Sequence, residues 1–229
     1  MGRHRRPGRG SGRPSPTRRA AGGLALAGAA GVAAYALLLR PRLLRWGATD
    51  DEVSATLPGD DLVRRPDYVT TRAVTVHTTP DGIWPWLAQM GYRRGGLYSY
   101  DWLDRLFGYL DRPSATEILP EFQHLAAGDT IPVGRGPSWP VRVVEPPHVL
   151  VLEPVTGAIT WAFALVPRDA RSTRLVTRVR CRVERTVAGV LLTALIDPAA
   201  FVMTRRMLLT LKRRAEVAAR RPHGSAASR

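Results

Sequence analysis

The chain has a single cysteine, Cys181, in 229 residues. That excludes an internal disulfide framework and any multi-cysteine metal site. Its five histidines, His4, His77, His124, His148 and His223, show no ligand spacing, so neither a metal nor another cofactor is expected. No nucleophile elbow, phosphate loop or His-Glu-x-x-His pattern occurs, which removes the common local signatures of hydrolases, nucleotide enzymes and zinc proteases. Acidic side chains are missing from residues 1–45, which carry ten arginines. Residues 205–229 are similar, with eight basic groups and one acid. The middle, 46–204, holds sixteen basic and eighteen acidic residues, a net of −2, so the formal charge of +15 belongs to the ends. A near-neutral middle argues against nucleic acid as the partner of the folded part.

Residues 1–19 are Arg, Gly, Pro and Ser with almost no apolar side chain, and a disordered Arg-rich tail is expected there. Residues 20–39 then carry no charge at all. As a helix such a stretch would be roughly 30 Å long, the thickness of a bilayer core. Three readings fit. A single-pass N-terminal membrane anchor matches the length and charged flanks. A secretion signal of twin-arginine type matches Arg18-Arg19 before a mild apolar stretch, although no small-x-small cleavage site follows. A buried soluble helix is the third. The anchor is taken as the working expectation, and it places the protein at a membrane. Seven arginines before the stretch favour a cytoplasmic N-terminus, while Arg40, Arg42 and Arg45 after it oppose that orientation. Residues 40–66 read as a connector along the surface of a domain at 67–217, and 218–229 as a second disordered tail.

Within the domain, β-branched alternation predicts a strand from Tyr68 to Val76. Pro80-Asp81 opens a short helix carrying Ile83, Trp84, Leu87 and Met90, with Gly91 as its stop. A second short helix follows over 101–110, with Trp102, Leu103, Leu106 and Phe107 on one face. Strands are expected near 130–133, 141–145, 149–153, 158–166 and 174–184, each bounded by Gly, Pro or Asp. In the last of these, Leu175, Thr177, Val179, Cys181 and Val183 share one face. Arg174, Arg178, Arg180, Arg182 and Glu184 share the other, with Val176 the exception. That pattern is a half-buried strand with a polar outer face, and it makes Cys181 core packing rather than a nucleophile. Asp197-Pro198 reads as the cap and first residue of a long amphipathic helix to about Arg220, with Met203, Met207, Leu208, Leu211 and Ala215 on one stripe.

Two motifs carry a resemblance. Thr79-Pro80-Asp81-Gly82-Ile83-Trp84-Pro85-Trp86-Leu87-Ala88-Gln89-Met90-Gly91, continued by Arg94-Gly95-Gly96-Leu97-Tyr98-Ser99-Tyr100-Asp101-Trp102-Leu103, resembles a bacterial branch of the SRPBCC (START-like, polyketide cyclase/dehydrase-like) superfamily. So does Ile118-Leu119-Pro120-Glu121-Phe122-Gln123-His124-Leu125 with Gly128-Asp129. The resemblance covers about residues 46–217. It implies an α+β helix-grip fold, a curved antiparallel sheet wrapped around a long C-terminal helix, with an apolar cavity between them. It also implies a hydrophobic small molecule or lipid as ligand, and in some members catalysis in the cavity.

Aromatic faces suit such a ligand. Trp86, Tyr98, Tyr100 and Trp102 are candidates for one wall, and Trp161, Phe201 and Met203 for the opposite one; the same residues would equally fill a core. Candidate acid–base groups are Glu121 and His124, three apart and able to share one face of a helical turn, and Asp101. Glu117 and His148 are further candidates, and an exposed turn whose His caps a loop explains the first pair more simply. The basic run Lys212-Arg213-Arg214 with Arg220-Arg221 suits an anionic lipid surface or, more simply, a solvated helix end. Three functions follow: a membrane-anchored binder of a hydrophobic molecule, a cavity enzyme of cyclase or hydrolase type, or a non-catalytic module docking on anionic membrane.

Overall fold

In the computed structural model the described residues are 28, 30–134, 138–155, 157–183 and 186–220, with the side chains of 187–188 and 190–195 left aside. The chain divides into two compact units, residues 1–41 and 42–229. In the first, the described residues are helical and include a π-helical turn at Tyr35–Leu39. Among the described residues no helix is long and apolar enough to cross a membrane. The expected membrane location is corrected accordingly. The described part of the uncharged stretch is short and rich in Ala and Gly, and it runs into Arg40 and Arg42, which gives it little drive to insert. Residues 20–27 and 29 of that stretch lie outside the described residues, as do the expected tails at 1–19 and 221–229.

The second unit opens with α1 (Arg40–Leu44), which begins at the boundary, and α2 (Asp50–Ser54). Thr49 and Glu52 form a reciprocal capping box at the start of α2. Then come β1 (Tyr68–Val76), α3 (Pro80–Ala88), α4 (Asp101–Leu106), and five strands. These are β2 (Thr130–Pro132), β3 (Ser138–Glu145), β4 (Val149–Val155), β5 (Ile159–Asp169) and β6 (Ser172–Cys181). A single helix, α5 (Val187–Arg220), ends the fold. The six strands form one antiparallel sheet in the order β1-β6-β5-β4-β3-β2. Register shifts between Val141 and Val143, Leu152 and Val155, and Pro167 and Asp169 bend the strands, as bulges do. This is the helix-grip arrangement.

The sheet is buried on both faces. On one, Val76, Leu150, Leu152, Phe163, Leu165 and Leu175 meet Met207, Leu208, Leu211 and Ala215 of α5. Burial of side chains of this size contributes about 1.5–3 kcal/mol each. On the other, Ala73, Ala164 and Val176 pack with Ala48 and Leu57, and Val149, Val151 and Ala162 with Leu62. The connector therefore covers the outer face, and Val176, the exception in the strand pattern, packs beneath it.

The arginines of β6 hold that cover in place. Arg174 pairs with Glu52 at 2.7 Å, and Arg180 donates to the carbonyl of Val63. Arg178, 2 % exposed, uses all five of its N–H groups. Nε donates to Thr71 Oγ1, Nη1 to Ala55 O and Asp60 Oδ2, and Nη2 to Glu52 O and Val53 O, at 2.6–3.0 Å.

Two elements differ from their sequence reading. Helix α5 begins ten residues before Asp197, so Pro198 lies inside it and Asp197 is buried rather than capping. Helix α4 stops at Leu106, and the face expected to be buried leaves Trp102, Leu106 and Phe107 more than half exposed.

Candidate functional site

The two motif segments fold onto one another beside α3 and the C-terminal half of α5. Their organiser is Gln89, fully buried at the end of α3. Its Nε2 donates to Tyr98 Oη at 2.9 Å and to Glu117 O at 3.0 Å, and its Oε1 accepts from Leu119 N at 2.8 Å. Arg94 returns to the same helix end, donating to Met90 O and Ala88 O, where a cation also meets the negative end of the helix. The guanidinium lies 4.5 Å from the centre of the Phe122 ring.

The Gly95-Gly96 pair makes this closure possible. A Cβ on Gly95 would stand 2.6 Å from Tyr98 Oη, and one on Gly96 2.6 Å from Ser114 Oγ. Tyr98 itself adopts φ 58, a left-handed conformation that is uncommon for a bulky residue. It is held there from both ends: Oη takes the Gln89 bond, and the backbone N–H donates to Ser114 Oγ at 3.2 Å. Ser114 in turn donates from N and Oγ to the Asp101 carboxylate at 3.1 and 2.7 Å. Burial pushes the Tyr98 phenol well above its ordinary range, against the Gln89 bond and the nearby guanidiniums of Arg214 and Arg94, so it stays neutral.

Two pockets open on this knot, each of about 410 Å3. The first is an apolar groove walled by Trp86 of α3, Ile118 of the loop, and Val217 and Ala218 of α5. The second lies toward α4 and is walled by Asp101, Trp102 and Arg105 on one side and Arg206, Thr210 and Arg213 on the other. Tyr98, Ser99 and Tyr100 close it. Arg213 and Arg214 border both pockets. Arg214 sits 5.9 Å from the centres of the Trp86 and Tyr98 rings, which meet edge to face at 6.2 Å. Burial pulls its pKa down, while Tyr98 and Asp101 act in the opposite sense and Arg213 adds to the lowering.

Of the residues singled out in the sequence, Trp86 walls the apolar groove, and Tyr98, Tyr100, Asp101 and Trp102 line the second pocket. Glu121 is exposed in a 3-10 turn, Pro120–Phe122, and borders a third pocket of about 250 Å3. His124 is exposed. Trp161 lies on the sheet, its ring 4.8 Å from those of both Trp139 and Phe163, and its Nε1 donates to Thr177 Oγ1. Phe201 meets Trp46 edge to face and faces Arg72. Met203 is half-buried, and neither it nor Phe201 borders these three pockets. His148 shares a hydrogen bond with Leu165 O at the β4–β5 pair.

Sequence reasoning missed Arg206, Thr210 and Val217 as site residues. Their spacing was the available sign: residues 206, 210, 213, 214 and 217 follow i, i+4, i+7, i+8, i+11, one face of a helix.

No family model and no curated protein matches the chain. Solved structures similar to it include a polyketide cyclase-like protein from Corynebacterium glutamicum, 11 % identical, covering 69 % of this chain and 96 % of that one at a TM-score of 0.39. An aromatase/cyclase from a Streptomyces species is 17 % identical, covering 69 % and 99 % at a TM-score of 0.40. An HSP90 activator from Plasmodium falciparum is 12 % identical, covering 62 % and 95 % at 0.40. The fold assignment itself rests on the strand order and register given above.

Proposed function

We propose that the protein binds a hydrophobic small molecule in the groove between the 116–118 loop and the last turns of α5. The observation that carries this reading is the wall of Trp86, Ile118, Val217 and Ala218 around about 410 Å3, a volume suited to a ligand of modest size. Ile118 and Val217 are left partly open to water here, 37 % and 47 % exposed. Covering them with a ligand recovers apolar area at about 25 cal/mol per Å2. The groove has rigid support, because Gln89, Tyr98 and Arg214 fix the aromatic wall from behind. Glu117 is the one acid–base candidate among the residues bordering this groove, beside Arg213 and Arg214, with no second candidate to pair with it, which favours binding over proton transfer. Of the acid–base candidates, Asp101 borders the neighbouring pocket instead, with its carboxylate engaged by Ser114.

The test is titration of the full chain with a neutral fluorescent naphthylamine dye, followed through dye emission and tryptophan quenching. Saturable binding is expected, weakened at least about tenfold by Val217→Asp, which places a charge in an apolar wall. Dye emission that never saturates, or that Val217→Asp leaves unchanged, would remove this reading.

A further inference from the structure

The second pocket has no apolar logic. Four guanidiniums, from Arg105, Arg206, Arg213 and Arg214, surround it, against the single carboxylate of Asp101. The ion pairs of the unit lie elsewhere, at Arg174–Glu52, Arg178–Asp60 and Lys212–Glu216 among others. Among the described residues none of the four guanidiniums forms an ion pair. Arg206, Arg213 and Arg214 share one helix face, where like charges repel. The Asp101 carboxylate accepts from Ser114 N and Oγ and also acts electrostatically on Arg214, but it forms no ion pair with any of the four. Positive charge concentrated in a concave site in this way raises the local concentration of anions.

A second observation is independent of charge. Thr210 borders the same pocket, is 6 % exposed, and its buried Oγ1 has no hydrogen-bond partner. A buried hydroxyl without a partner destabilises the fold, so a group that accepts its proton is stabilised at this spot. Arg214 adds a buried Nε that also lacks a partner. Tyr100 and Arg206 both border the pocket, with the guanidinium 5.5 Å from the ring centre.

We infer that this pocket takes a phosphate monoester, whose apolar body extends past Arg213 and Arg214 into the groove walled by Trp86, Ile118 and Val217. Four forked guanidiniums and a hydroxyl offer more donors than the two oxygens of a carboxylate can accept, whereas a phosphate monoester presents three terminal oxygens and nearly two charges. The shared border at Arg213 and Arg214 sets head and body side by side. The apolar half of this inference rests on the binding reading above; the phosphate half does not.

The experiment compares octyl phosphate, octanol, octanoate and inorganic phosphate by calorimetry on the full chain, all below their aggregation limits. Octyl phosphate is expected to bind at least about tenfold tighter than either octanol or octanoate, with the margin shrinking as salt is raised. Arg206→Gln should abolish that margin while leaving octanol affinity within about twofold. The variant should melt close to the parent, since Arg206 is exposed, forms no ion pair and gives up only its contact with the Tyr100 ring. Thr210→Val gives a smaller loss in the same direction. Equal binding of octyl phosphate and octanol overturns the phosphate site but leaves the hydrophobic reading standing. Equal binding of octyl phosphate and octanoate overturns the choice of phosphate. Binding of inorganic phosphate with no gain from the octyl chain supports the phosphate site and removes the apolar reading. A margin that survives Arg206→Gln places the anion elsewhere and overturns the inference.

Discussion

Two arginine clusters lie in one folded unit, and they differ in what meets the guanidiniums. On β6, Arg174, Arg178 and Arg180 lie under the connector, and each is matched by carbonyls or carboxylates brought back from residues 52–63. On α5, Arg206 and Arg213 stand open beside a pocket, and among the described residues neither forms an ion pair. The first cluster is therefore part of the fold, since its charges are neutralised within the chain. The second keeps its donors available, and its neutraliser has to arrive from outside. Composition alone cannot separate the two; what separates them is whether an acceptor is folded onto each guanidinium.

The largest effect that tests this contrast is at Arg178. Replacing it by Met leaves Asp60 and three carbonyls without their donor in a covered site, so about 3–5 kcal/mol of stability is expected to be lost, read by denaturant unfolding. Arg178→Lys should recover little of it, because an ammonium offers three donors from one point and cannot reproduce a five-donor fork. Arg206→Met should change stability by less than about 0.5 kcal/mol. Equal losses at the two positions would erase the distinction.

The sequence shows some of this contrast and hides the rest for a physical reason. The alternation in β6 is local, so the arginine face was readable; the partners lie more than a hundred residues away, and no local pattern links Arg178 to Asp60. The acids at 50–61 read as a connector, because a strap that folds back on a sheet has no periodicity of its own. Pro198 misled the start of α5, since Asp-Pro has the chemistry of a helix beginning. The strands and α3 were legible because β-branched alternation and a Pro-Asp helix opening are local; that Trp86 walls one pocket while Tyr98 and Tyr100 line the other is set by tertiary packing and has no local sign. The pocket on α5 was half legible: its spacing is helical, but Lys212-Arg213-Arg214 reads as a solvated end until the 113–118 loop is placed beside it.

A middle-sized effect sharpens the first half of the comparison. Glu52 is raised by its burial but lowered further by the bonds from Arg174 and Thr49, so its carboxyl titrates below the ordinary 4.5. An acid with a depressed folded value stabilises the fold above its unfolded pKa, and that contribution disappears as pH falls through the folded value. Glu52→Gln is expected to cost about 1.5–3 kcal/mol at pH 7 and progressively less below about pH 4, where parent and variant converge. A difference that persists unchanged into acid would show that the Arg174 pairing is not what Glu52 contributes.

The smallest effect concerns the second cluster. Asp104 lies fully buried on α4, with Ser99 Oγ 3.5 Å from its Oδ1 and its Oδ2 without a partner. Burial raises its pKa to about 6, the Ser99 contact opposing the rise and the neighbouring Asp101 carboxylate adding to it. Here the sign reverses. A raised folded value favours the protonated acid, so the fold is most stable below the unfolded pKa of about 4 and loses that advantage as pH climbs through about 6. Asp104→Asn removes the ionisation and should stabilise the protein by about 1–2 kcal/mol at pH 8, less the cost of an unpartnered amide NH2, with no gain at pH 4. A phosphate bound in the adjoining pocket would bring more negative charge near Asp104 and push its pKa higher still. The midpoint of the pH–stability curve of the parent, measured with and without octyl phosphate, should therefore move up when the pocket is filled, and a midpoint that stays fixed places the anion too far from Ser99 and Asp104 to occupy the pocket between α4 and α5.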